Sequence, residues 1–191
     1  RDALTQEAAR RALAITAGGN AFTPACEVLD ERAFVNGIVG LNASGGSTNL
    51  VLHMIAMARA AGVLIDWQDM SEISAITPLI ARVYPNGLAD VNHFHAAGGL
   101  GYMIGELLDS GHLHEDVQTI AGPGLRRYTQ EAKLDGDRVV WTGGTGTSLN
   151  DRILKTVADP FQPTGGLQRL AGNLVEAVIK ISSTKPEHRP V

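Results

Sequence analysis

The residues of this chain best suited to bind an anion are Ser47, Thr48 and Asn49, which follow a pair of glycines. They end a small, polar loop, 41–49, that leads directly into the apolar stretch 50–61. A helix that begins here leaves backbone N–H groups of its first turn without intrahelical partners, and its dipole favours a phosphate or carboxylate. The alternative is an ordinary helix N-cap, because Ser and Thr favour that position anyway.

Two other residues are candidates for contact with an anionic ligand. Arg126 follows a Gly-Pro-Gly turn, and a guanidinium group can bind phosphate through two parallel hydrogen bonds, although an ordinary surface arginine is as good an interpretation. His93 forms a His-x-His pair with His95, and His112 forms another with His114. On a strand each pair would share one face, as metal ligands do. Neither pair has a third ligand at a recognisable spacing, so we expect no metal site.

No residue of the chain is predicted to be catalytic. Glu115 and Asp116 are adjacent carboxylates, which point to different sides on a helix or a strand, and we expect both to be solvated. His53 lies within the apolar stretch and is interpreted as a core histidine. Cys26 is the single cysteine and is interpreted as a small buried hydrophobic residue in the first turn of a short helix.

Composition excludes several classes of protein. The net charge of −4 over 191 residues offers no basic face for nucleic acid, and no apolar run reaches the 18 or so residues of a membrane span. One cysteine gives no disulfide framework. We therefore expect a cytoplasmic protein without nucleic-acid or membrane partners.

Hydrophobic periodicity predicts an α/β fold. The expected elements are a helix along the stripe Leu4, Ala8, Ala12 and Ile15, a helix capped by Asp30, a nearly all-round buried helix over 50–61, a strand at 63–65, a helix from Thr77-Pro78 to the turn at 85–87, and a helix over 99–108. Beyond Val117 the pattern changes to strands and turns, with a hairpin turn at Asp135-Gly136 and a short helical piece at 151–158.

The best domain boundary is 159–166, which contains two prolines and two glycines. It separates a domain at 1–158 from a second domain that begins at 167–191 with two predicted strands. The chain starts without Met, and its first residues already have a helical pattern, so the amino end is expected to be cut from a longer protein.

The Gly-Gly-Ser-Thr-Asn segment resembles the family of dehydratases that contains dihydroxy-acid dehydratase and phosphogluconate dehydratase. Further segments resemble the same family in the same order: RDALTQEAARR at 1–11, FVNGIVG at 34–40, HMIAMARAAG at 53–62, YPNGLADVNHFHAAGG at 84–99, LHEDVQT at 113–119, GLRRYT at 124–129 and GNLVEAVIK at 172–180. The residues at 92–94, 114–116 and 125–129 resemble the phosphogluconate branch.

The resemblance implies a fold and a chemistry. The fold would be the central part of an α/β domain, with the first strands of a C-terminal β-barrel domain. The reaction would be removal of water from a phosphorylated sugar acid to give a 2-keto-3-deoxy acid, in a homodimeric enzyme. A 4Fe-4S iron–sulfur cluster and a divalent cation would be bound by residues outside this chain. The catalytic base would also lie outside it, so the fragment alone would be inactive.

Substrate contacts would come from the residues singled out above: Ser47, Thr48, Asn49, His93 and Arg126. Two alternatives stay open. One is a dehydratase of an unphosphorylated aldonic or dihydroxy acid, and the other is a non-catalytic domain that binds a phosphosugar or serves assembly.

Overall fold

The computed structural model describes residues 2–188, so Arg1 and the end of the predicted second domain, 189–191, lie outside the described residues. The α-helices are Asp2–Ala14 (α1), Ala25–Val28 (α2), Glu31–Ser44 (α3), Thr48–Ala60 (α4), Trp67–Ile76 (α5), Val91–Ala96 (α6) and Gly99–Asp109 (α7). The strands are Gln118–Thr119 (β1), Gly122–Pro123 (β2), Gln130–Asp135 (β3), Arg138–Gly143 (β4), Gln168–Ala171 (β5) and Glu176–Ile179 (β6).

The strands form three two-stranded antiparallel sheets, each joining neighbours in the chain. The mixture of helices with small sheets agrees with the predicted α/β class, and the described strands close no barrel. None of the described helices is long and apolar enough to cross a membrane.

Helix α3 is the centre of the packing. It begins where predicted, because the Asp30 side chain accepts a hydrogen bond of 2.8 Å from the Ala33 amide. Phe34 and Ile38 face a cluster formed with α4, α5 and Leu167, whereas Val39 faces a second cluster formed with α7 and the segment 153–154. Full burial of one such side chain stabilises the fold by about 1.5–3 kcal/mol. Because α3 contributes side chains to both clusters, it connects the two halves of the core.

The segment after α5 is extended, and the helix predicted from Thr77-Pro78 is wrong. Proline disfavours helical geometry at the residue before it, so α5 ends at Thr77, whose ψ is 117°. After Pro78 the chain stays extended instead of beginning a helix. Leu79 pairs in antiparallel fashion with Gln162, and Ala81 pairs with Leu154. The apolar run is buried as an extended segment because distant chain segments satisfy its backbone.

Three other predictions of local structure are also wrong. Segment 63–65 forms no strand, and the Leu64 side chain is 87% exposed. Residues 151–158 form turns and a single bridge rather than a helical piece. Helix α4 is buried along one face only, through Val51, Met54 and Ala58.

Local turn signals were more reliable. The predicted turn at Asp135-Gly136 joins β3 to β4, and Asp135 pairs with Arg138 at its end. The two predicted strands after residue 167 form the antiparallel hairpin β5–β6. This hairpin contacts α5, and Leu167 just before it is buried in the cluster of α3, α4 and α5.

Candidate functional site

The glycine-rich connection between α3 and α4 is shorter than the sequence predicts. Helix α3 continues through Ser44, so the predicted loop 41–49 is reduced to residues 45–47. Gly45 ends α3 with a φ of +60°, a conformation that favours glycine, and the Gly46 amide donates a hydrogen bond of 2.9 Å to the Leu41 carbonyl. The chain thus turns tightly from one helix into the next.

Ser47 is the N-cap of α4, as the simpler interpretation of the sequence predicts. Its hydroxyl oxygen accepts a hydrogen bond of 3.2 Å from the Asn49 amide, and its carbonyl accepts one of 3.1 Å from the Leu50 amide. The first turn of α4 contains no acidic residue. The helix start is therefore capped and carries no carboxylate of its own that would repel an anion.

A groove of about 370 Å³ lies beside this helix start. One wall comes from α4, through Thr48, Asn49 and Leu52, and the other comes from the hairpin β5–β6. Trp67, the first residue of α5, also lines the groove. Ligand pockets of this size, with apolar walls and a few polar groups, are typical of small-molecule sites.

The hairpin wall carries an ion pair that the sequence analysis missed. Arg169 donates hydrogen bonds of 3.2 and 2.8 Å to the two carboxylate oxygens of Glu176, and another of 2.7 Å to the Gln68 side chain. The bonds to Glu176 raise the pKa of Arg169 above its ordinary value. The signal in the sequence was the pair of charges on two strands joined by a short turn, which brings cross-strand neighbours together.

Arg126 lies outside the groove, and its guanidinium is already engaged. Its Nε and Nη2 donate hydrogen bonds of 2.9 Å to the two carboxylate oxygens of Glu115, and Nη1 donates one of 2.8 Å to Asp109. These bonds raise the pKa of Arg126. The adjacent Asp116 is exposed and pairs with Arg32. The two neighbouring carboxylates thus point to different partners, and both are ion-paired rather than merely solvated.

His93 also lies outside the groove, on the short helix α6 rather than on a strand. The side chain of Asp90 caps this helix, accepting 2.9 Å from the His93 amide, and lies 2.8 Å from the His93 ring nitrogen Nδ1. The bond from the His93 amide is the main cause of a lowered pKa at Asp90. The imidazole of His93 is exposed, with Asp90 as its neighbour.

Two predictions of burial are wrong. Cys26 is exposed on α2, whose N-cap position is occupied by Pro24. His53 is exposed because it lies on the outer face of α4, opposite the buried stripe. Within residues 2–188, no group of three or more His, Cys, Asp and Glu side chains is arranged to hold a metal ion.

The amino-acid sequence matches one family model and several proteins of known name. A family model described as "Dihydroxy-acid/6-phosphogluconate dehydratase N-terminal" matches residues 1–128. Proteins named phosphogluconate dehydratase are 59% identical over 98% of the chain in Rhizobium meliloti strain 1021 and 48% identical over all of it in Escherichia coli strain K12. A protein named dihydroxy-acid dehydratase from Sulfurisphaera tokodaii is 37% identical over 83% of the chain.

The chain spans about a third of the length of the curated relatives it matches: 31% of the Rhizobium protein and 32% of the Escherichia coli protein. The match of the family model to two thirds of the chain agrees with the motifs, and the chain belongs to the dihydroxy-acid/6-phosphogluconate dehydratase family.

Proposed function

We propose that this chain is part of a phosphogluconate dehydratase, a hydro-lyase that converts 6-phosphogluconate to 2-keto-3-deoxy-6-phosphogluconate and water in the Entner–Doudoroff pathway. The observation that carries this proposal is the difference in identity between relatives. Proteins named phosphogluconate dehydratase are 59% and 48% identical over nearly the whole chain, whereas the dihydroxy-acid dehydratase is 37% identical over a smaller part.

In this proposal the groove beside α4 contacts an anionic end of the substrate. Thr48 and Asn49 line it, and Ser47 holds the helix start in place. The positive end of the α4 dipole favours a phosphate or carboxylate there. Arg169 adds a cation on the facing wall, although Glu176 neutralises part of its charge.

His93 and Arg126 are weaker substrate contacts in the proposal. To bind a phosphate, Arg126 would have to exchange its bonds with Glu115 and Asp109 for bonds to the ligand. His93 would have to compete with the neighbouring Asp90 carboxylate. Each would act only if the rest of the full-length protein brings substrate to its surface.

The residues of this chain do not fit an iron–sulfur cluster. Such a cluster is held by three or four thiolates, and the chain has Cys26 alone, exposed on a helix of four residues. The 4Fe-4S cluster, the divalent cation and the catalytic base would therefore belong to other parts of the full-length protein. The role of this chain is to support the fold and contact the substrate.

The division of the chain is also part of the proposal. Residues 1–158 would belong to the α/β domain and 159–166 would be a linker. The hairpin β5–β6 would supply the first strands of a β-barrel domain that the full-length protein completes.

The test uses the full-length protein, purified without air and supplied with 6-phosphogluconate, gluconate or 2,3-dihydroxyisovalerate. The two readouts are formation of the 2-keto acid and binding of the phosphorylated acid. Turnover confined to the phosphorylated acid is the expected result. Turnover of an unphosphorylated aldonic or dihydroxy acid alone would refute the substrate and favour the neighbouring activity. Binding of phosphosugar without turnover of either acid would instead favour a non-catalytic domain.

A further inference from the structure

The side chain of Asn86 connects two parts of the chain that are distant in sequence. Its Nδ2 donates a hydrogen bond of 2.6 Å to the Gly45 carbonyl and a longer one of 3.4 Å to the Ser44 carbonyl. Its Oδ1 accepts hydrogen bonds of 2.7 and 2.8 Å from the hydroxyl groups of Ser182 and Ser183. Both ends of one partly buried amide are thus fully used.

The first end of this amide holds the turn that starts α4. Gly45 has its left-handed conformation directly against Asn86, and a Cβ at position 45 would overlap Nδ2 of the asparagine. Two residues later, Ser47 caps α4. The position of the helix start therefore depends on where Asn86 holds the Gly45 carbonyl.

The other end of the amide holds the segment that leaves β6. Ser182 follows the last residue of this strand, Ile179, by three positions. The strand residues Glu176, Ala177 and Val178 form the hairpin wall of the groove. One planar amide therefore connects the segments that carry both walls.

We propose that Asn86 is a positioning residue, which sets the width of the substrate groove by fixing the start of α4 relative to the hairpin β5–β6. This inference rests on the proposed function. Asparagine suits the role because it donates on one side and accepts on the other, at a fixed distance. Displacement of binding groups by 1 Å can lower the efficiency of an enzyme about 100-fold.

Asn86→Asp cuts one connection and leaves the other. The new oxygen faces the Gly45 carbonyl and repels it, while the retained oxygen still accepts from the two serine hydroxyls. The double variant Ser182→Ala with Ser183→Ala cuts the opposite side and leaves Asn86 in place. Both variants break the same bridge, and the double variant also removes the longer bond of 3.3 Å from the Ser182 hydroxyl to the Gly166 carbonyl. When the variants are combined, their effects should therefore add only by the small contribution of that longer bond.

In the full-length protein each variant should raise KM for 6-phosphogluconate about tenfold, a loss of about 1.4 kcal/mol of binding free energy, because the groove walls shift relative to each other; kcat should be nearly unchanged. Asn36→Asp is the matched control. The Asn36 amide also bridges two segments, donating 2.9 Å to the His114 carbonyl and accepting 2.8 Å from its amide, but it lies outside the groove. This control should lower the melting temperature and leave KM unchanged.

Hydrogen exchange separates this inference from the proposed function. Asn86→Asp should accelerate exchange of the amides at 45–50 and leave those of 31–40 unchanged, whether or not the enzyme turns over the phosphorylated acid. If the wild-type protein fails to turn it over, the proposed function falls and exchange alone decides. Unchanged exchange at 45–50, or a KM that shifts no more than in Asn36→Asp, would overturn the positioning role of Asn86. If Asn86→Asp does not fold, the same two measurements on the serine double variant decide.

Discussion

Substitution of Ser47 separates its two possible roles, helix cap and anion contact. Ser47→Ala removes the hydroxyl oxygen that accepts from the Asn49 amide at 3.2 Å. Loss of an N-cap costs about 0.5–2 kcal/mol, and we expect the lower half of this range because Ser47 is exposed and water can replace part of the bond. For a domain of this size, each kcal/mol corresponds to roughly 2–4 °C in melting temperature.

Ser47→Asp keeps the cap and changes the charge. Aspartate caps helices as well as serine does, and a negative charge at a helix N-terminus gains about 0.3–1 kcal/mol. Stability should therefore equal or exceed that of the wild type. A phosphate or carboxylate bound at the start of α4 would meet a like charge there, and a repulsion of about 1.4 kcal/mol means about a tenfold weaker affinity.

The assay combines urea unfolding with KM for 6-phosphogluconate in the full-length protein. We expect Ser47→Ala to lose stability, and Ser47→Asp to keep stability while KM rises at least about tenfold. Asp30→Ser is the control, because it exchanges the same two capping residues at the start of α3, away from the groove. A wild-type KM in Ser47→Asp would refute the anion contact and leave Ser47 as a helix cap.

Three further predictions concern stability and exposure. Gly165→Ala should lower the free energy of unfolding in urea by about 1–3 kcal/mol, because the new Cβ would lie 2.5 Å from the Ser74 hydroxyl oxygen and 2.6 Å from Asn42 Oδ1. The control Gly146→Ala should lower it much less, because the space around Gly146 is open. Burial, with a smaller contribution from a nearby glutamate, raises the pKa of Tyr102 above its ordinary value of 10.0. The protonated phenol therefore favours the folded state below pH 10.0, and this contribution to the free energy of unfolding is lost as the pH rises through the raised pKa. Tyr102→Phe should flatten this alkaline loss without loss of stability at neutral pH, since the buried hydroxyl has no hydrogen-bond partner; a steeper loss would contradict it. Cys26 should react with a thiol reagent in the folded protein at the rate of an exposed thiol, and protection until unfolding would contradict its exposure.

The sequence predicted those elements whose signals are local. Asp30 caps α3, Gly62 follows α4, and Asp135-Gly136 turns between paired strands, because each depends on a few neighbouring residues. Helix α5 was missed although it has a local signal: Asp66 and Asp69 form a capping box at its start. The start of α5 is therefore also encoded by neighbouring residues.

Other failures have a physical cause that short-range patterns do not contain. The extended segment at 79–81 is held by pairing with residues 154 and 162, and apolar runs of this length are ambiguous between a buried helix and a strand. The apolar residues of α4 predicted burial all round, yet Leu52 is 59% exposed. Hydrophobicity indicates what a helix can bury, and only its neighbours determine which faces are covered.

The candidate site shows the same limit. Ser47, Thr48 and Asn49 were found because they are consecutive, but the groove needs a second wall whose residues come more than 100 positions later. The contact of Arg169 with Gln68 joins segments 101 residues apart, and Asn86 reaches Ser182 across 96 residues.

The groove also spans the predicted domain boundary at 159–166, since one wall precedes it and the other follows it. Small-molecule sites are frequent where two domains meet, because relative movement there can admit and enclose a ligand. If residues from 167 onward begin a second domain, two contacts would restrict its movement at either end of the hairpin β5–β6. One is Leu167, which is buried among residues of α3, α4 and α5, and the other is the bridge through Asn86 to Ser182. A ligand in the groove would contact both sides of the boundary, so binding and docking of the hairpin should stabilise each other.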